Sequence, residues 1–164
     1  MKTSTILVIL TFFLTGNLHC QVQEQDIYEV LNVLVERYNI ESLKRESRQI
    51  EIPNPRQHQF IEWCINQAED KIDSSLVDST FIVKQTSTFN YLNWEKRKIE
   101  KEIKITKKAT HYFSIPLFLN SRKDIVIVYH TEYYGPLSAT GTYEMYQKID
   151  NKWILKTIML VWIA

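Results

Sequence analysis

Residues 125–163 read IVIVYHTEYYGPLSATGTYEMYQKIDNKWILKTIMLVWI, and this stretch decides the fold. Ile125 to Tyr134 is rich in β-branched and aromatic residues and reads as a strong strand. Gly135 to Gly141 reads as a connection, Thr142 to Ile149 as a second strand, Asp150-Asn151-Lys152 as a tight turn and Trp153 to Ile163 as a third strand. Strand, short connection, strand, repeated, is an antiparallel meander. Asn151 suits the last turn because asparagine tolerates the left-handed conformation. The third strand is apolar on both faces from Ile158 to Ile163, which is the pattern of a strand covered on both sides or interior to a sheet.

Upstream, Tyr112 to Leu119 is apolar and aromatic, with Pro116 demoting it to an edge or bulged strand. Asn120 to Asp124 is a polar turn. Asn90 to Ala109 fits either a helix followed by a strand or a long exposed hairpin, and Thr80 to Val83 has β-favouring composition. Residues 24–39 predict an amphipathic helix, with Ile27, Leu31, Leu34 and Tyr38 at helical spacing and Val30 and Val35 widening the stripe. Glu24, Asp26 and Glu29 in its first turns suit the helix dipole. A second helix is expected from about Gln57 to Ile72, ended by Asp73-Ser74-Ser75. Between the two, residues 41–52 are polar and fit no single element, and Pro53-Asn54-Pro55 is extended or a turn. Helices first and a meander afterwards predict an α+β fold, with N-terminal helices packed on one face of a curved antiparallel meander sheet. Cystatin-like and NTF2-like folds are the analogy, and the analogy carries no ligand.

The chain begins with Lys2, an apolar run from Ile6 to Leu14 interrupted by Thr11, then Gly16 and a short polar stretch to Cys20. That is the layout of a secretory signal peptide over residues 1–20. A retained anchor needs about 20 apolar residues, roughly twice this run. Lipidation of Cys20 fits badly, because Asn17, Leu18 and His19 are not the small residues such a site prefers. Removing residues 1–20 leaves a chain of single-domain size, 21–164, with equal numbers of basic and acidic side chains. That balance gives no general reason to bind nucleic acid. The charge is uneven: residues 95–108 hold seven basic side chains against three acidic ones, a solvated face or a contact for an acidic partner or anionic lipid. Cys64 is then the one cysteine left, on an apolar helical face with Phe60 and Ala68, and reads as a buried, inert thiol.

Phe113-Ser114-Ile115-Pro116-Leu117-Phe118, the strand from Ile125 to Tyr129, the segment Tyr134 to Gly141, the Asp150-Asn151-Lys152-Trp153 turn and the terminal Val161-Trp162-Ile163 together resemble a set of small exported proteins of Bacteroidetes-type bacteria. The resemblance covers roughly residues 70–164. It implies an exported α+β domain and contributes no mechanism. Where many of those proteins carry loop cysteines, this chain has Ser138 and Thr140.

Candidate site residues cluster at one end of the meander. Gly135 and Gly141 are the two glycines outside the leader, and a chain this sparing of glycine places them where the backbone needs positive φ or close approach. With Tyr134, Ser138 and Thr140 they outline a shaped hairpin or wide β-connection, or, on the functional reading, a binding loop. His130, Glu132 and Tyr134 share one strand face, which makes His130 with Glu132 a candidate general base; the competing reading is a polar outer face. His111 and Asp124 are two further groups that the fold can bring to that face. No spacing suggests a metal site and no motif a cofactor. The expected function is an exported, non-catalytic binding or structural domain for an unknown protein or small ligand, with no membrane span once the leader is cleaved. The alternative is a small hydrolase or isomerase using His130 and Glu132 as acid and base.

Overall fold

The computed structural model describes residues 21–50, 57–68, 72–135 and 137–163. The leader, the Pro53-Asn54-Pro55 turn and the last turn of the expected second helix lie wholly or partly outside them. The chain is α+β. Helix α1 (Glu24–Arg37) is followed by β1 (Ser42–Lys44), β2 (Glu46–Arg48), α2 (Gln57–Asn66), α3 (Ser79–Thr88), β3 (Tyr91–Asn93), β4 (Lys104–Thr106), β5 (His111–Phe113), β6 (Leu117–Phe118), β7 (Ile125–Gly135), β8 (Ser138–Ile149) and β9 (Lys152–Ile163). Among the described residues no helix is long and apolar enough to cross a membrane.

The C-terminal strands β7, β8 and β9 form the antiparallel meander. The rest of the sheet is mixed: its order is β4-β1-β5-β7-β8-β9, β1 runs parallel to both β4 and β5, and β6 pairs with β7 below β5. The last turn holds Asp150 at φ 49° and Asn151 at φ 60°, the two left-handed residues of a tight hairpin. Pro116 divides the expected strand 112–119 into β5 and β6. Gln85 of α3 satisfies the backbone at this break: its amide donates to the Pro116 carbonyl at 2.7 Å and its carbonyl accepts from the Phe118 N–H at 3.1 Å.

The helices divide between the two sheet faces, which corrects the expectation of one covered face. Ile27, Leu31, Leu34 and Val35 of α1 share a core with Val126 and Val128 of β7 and Tyr146 of β8. Ile61, Cys64 and Ile65 of α2 share another with Ile125 and Ile127 of β7, Met145 of β8 and Met159 of β9. Alternate residues of β7 therefore feed opposite cores. That is why Ile125-Val126-Ile127-Val128 is a continuous apolar run.

Two local expectations change. Thr80 to Val83 is helical, in α3, because Asp78 caps it by accepting from the Phe81 N–H at 3.0 Å, and Phe81, Ile82 and Gln85 are buried at helical spacing. The region 90–109 is no long hairpin: it holds β3, a single 3₁₀ turn at Lys96–Lys98 and then β4. β3 pairs with β2, while β4 pairs in parallel with β1. Its basic residues pair within the chain in part: Lys96 with Glu102, Arg97 with Glu95, and Lys98 with Glu24 and Glu95.

Candidate functional site

The α1 side of β7 and β8 carries a row of polar side chains because the register places them there. Val126 faces Tyr146, Val128 faces Glu144, His130 faces Thr142 and Glu132 faces Thr140. Strand β5 adds His111 opposite Glu132 and Phe113 opposite His130. The C-terminal end of α1 then lays Tyr38 over the row, its ring 4.5 Å from that of His130.

Glu144 is the centre of this arrangement and is fully buried. Tyr38 Oη donates to its Oε1 at 2.8 Å and Tyr146 Oη to its Oε2 at 2.6 Å. His130 Nδ1 lies 3.0 Å from Oε1, and Thr142 Oγ1 donates to the same oxygen at 3.3 Å. Burial alone pushes a carboxyl upward in pKa, but the hydrogen bonds from His130, Tyr146 and Tyr38 outweigh it and hold Glu144 below the ordinary carboxylate value. Burial and the adjacent carboxylate push both Tyr38 and Tyr146 upward, so both remain donors. On its other side His130 Nε2 lies 3.1 Å from His111 Nδ1.

His130 is consequently a core residue, 4 % exposed, and its carboxylate partner is Glu144 rather than Glu132. Tyr38, Phe113 and His111 fill the space around its ring. Glu132 belongs to a separate cluster: Tyr134 Oη donates to Glu132 Oε2 at 3.0 Å and lies 3.3 Å from Thr140 Oγ1. His111 does join His130; Asp124 does not, being held by Asn120 and Arg122 at the far end of β7.

The loop expectation changes as well. β8 begins at Ser138, so the connection is short, Gly135 pairs with Ser138, and Gly141 lies inside the strand. Neither glycine has positive φ. Gly135 stands in open space, and only Gly141 is needed for close approach: a Cβ there would lie 2.3 Å from Trp162 Nε1 and 2.6 Å from Tyr129 Oη. Those two groups are hydrogen-bonded to each other at 2.7 Å on the α2 side. The side of Gly141 that meets them is therefore the face opposite the Thr140 side chain. Cys64 is buried in the α2 core, and burial raises its thiol to about 12, so it is no nucleophile.

Strand β9 is the other departure. It is the terminal strand of the sheet, with β8 its sole partner among the described strands, where its sequence predicts a place inside the sheet or cover on both sides. Ile158 sits opposite Glu144 and Ile163 opposite Thr140, on the α1 side, and they are 48 % and 70 % exposed. Tyr134 beside Thr140 is 60 % exposed, and Leu137 at the hairpin tip 92 %. Among the described residues no three His, Cys, Asp or Glu side chains converge as metal ligands would. No family model, curated protein or solved structure matches the chain.

Proposed function

We propose that this is an exported domain that binds another protein and performs no catalysis. One observation carries the reading: on a single sheet face, the histidine and carboxylate that could do chemistry are sealed, while Tyr134, Ile158 and Ile163 stand open. Isolated exposed apolar residues are ordinary, but a strip of them along a free strand is the form of an interaction surface. β9 offers an edge of backbone N–H and C=O groups to an added strand. Lys152 at its start is an exposed cation, and no carboxylate lies within the strand. The partner that fits is an extended, apolar segment of another protein that carries carboxylates. The leader-like residues 1–20 and the resemblance to small exported proteins support an extracytoplasmic setting.

A photo-crosslinking residue placed at Ile158 in the producing cell tests this. The expected product is a second exported protein joined through an apolar, carboxylate-bearing segment, with no such product from the same group at Val83, which is 59 % exposed on α3. Absence of a product at Ile158, or a product only with another copy of this chain, overturns the reading.

A further inference from the structure

The hydrogen-bond donors around Glu144 fix the protons of the two histidines. An ionised carboxylate can only accept, so His130 must turn Nδ1–H toward Glu144 Oε1. In the neutral ring, Nε2 is then an acceptor, and the partner it meets, His111 Nδ1, must carry the hydrogen. The neutral His111 that results has its lone pair on Nε2. Among the described residues, the buried side-chain atoms left without a partner belong to Gln49 and Trp94, so this outer nitrogen opens to solvent. Exposure rises in order along the chain of bonds, from none at Glu144 to 4 % at His130 and 8 % at His111.

We propose that Glu144, His130 and His111 form a proton relay, in which a proton taken from solvent at His111 Nε2 is stored as charge on the buried His130. The step balances without any heavy atom moving. The incoming proton bonds to His111 Nε2, the Nδ1–H proton of His111 passes to His130 Nε2, and His130 becomes an imidazolium against the Glu144 carboxylate. His111 ends neutral as the Nε2–H tautomer and accepts at Nδ1. A second proton has no such place, because it would set two donor nitrogens face to face at the 3.1 Å contact. Burial, and then the charge on His130, disfavour protonation of His111, with Glu132 opposing. The groups around the pair are Glu144, Tyr146 and Thr142 of β8, Tyr38 after α1, Phe113 of β5 and Glu132 of β7, with Arg37 beside Tyr38. Of these only Glu144 and Glu132 are anionic, and only Glu144 bonds a histidine. Tyr38 hangs on the same carboxylate oxygen as His130, so proton uptake is coupled to the clasp between α1 and the sheet.

Long-range proton–nitrogen NMR of the nitrogen-15-labelled protein reads each ring nitrogen directly. At alkaline pH both rings should be Nδ1–H tautomers. On acidification, His130 Nε2 and His111 Nε2 should gain hydrogen in one shared step, while His111 Nδ1 turns acceptor. Glu144→Gln should move that step down by about one pH unit or more and leave the proton on His111, while Tyr146→Phe, which spares the relay, should keep the shared step. His111 titrating alone while His130 keeps its alkaline form would overturn the proposal. So would a His130 Nε2–H tautomer at alkaline pH. Both readings come from the unmodified protein, so they stand even if Glu144→Gln fails to fold.

Discussion

Glu144 shows how one residue in the middle of a strand can organise a sheet face. A fully buried carboxylate is costly unless its oxygens are satisfied, and here four side chains from α1, β7 and β8 satisfy them. Glu144→Ala leaves Tyr38, Tyr146 and His130 without their acceptor, and should cost about 3–5 kcal/mol in chemical denaturation. His130→Ala opens a cavity and strips the carboxylate of a donor; a loss of about 2–4 kcal/mol is expected, against under about 1 kcal/mol for a surface histidine. Cys64→Ser should cost about 1–3 kcal/mol, because the α2 core offers a hydroxyl poor pairing. The sequence makes the face of His130 legible but not its partner. Glu132 is the near neighbour along the strand, whereas Glu144 is reached only once the β7–β8 register is known. Reading Gly135 to Gly141 as a long connection hides that register; a tight turn at Gly135–Ser138 brings Glu132 beside Thr140 and Glu144 within reach of His130.

At the scale of elements, legibility follows how much of an element's identity is local. Helix α1 and the meander strands are visible because their apolar periodicity and the Asp150-Asn151 turn are properties of contiguous residues. Helix α3 is not, because the cap at Asp78 and the burial of Phe81, Ile82 and Gln85 outweigh the β-branched composition of its start. The parallel pairing of β1 with β4 joins segments some 60 residues apart, and nothing within either three-residue strand announces it. Gly141 belongs to this scale because its role lies between strands. Gly141→Ala should cost about 1–3 kcal/mol in thermal denaturation, from the collision with Trp162 and Tyr129 rather than from backbone strain. The penalty should shrink in a Trp162→Val background. An equal penalty there would mean that the indole is not what requires the glycine.

The whole molecule should lose stability in acid, in two stages with the same sign. His111 is harder to protonate folded than unfolded, so its contribution is complete above an unfolded value near 6.5 and is lost as pH falls below it. Glu144 is held below its ordinary 4.5, so its contribution is lost further down, as pH falls through its folded value. Urea midpoints measured from neutral pH downward should fall from about pH 6.5, and Glu144→Gln should flatten the lower stage. Within this frame the buried network fixes α1 against the sheet, and the open margin is β9. Amide hydrogen exchange along β9 tests that division most directly. In the isolated protein, the β9 amides that bond to β8 should be protected and the outward-facing ones should exchange rapidly, becoming protected when the partner segment captured at Ile158 is added. Outward-facing β9 amides already protected in the isolated protein would contradict a free edge, and with it the proposed binding surface.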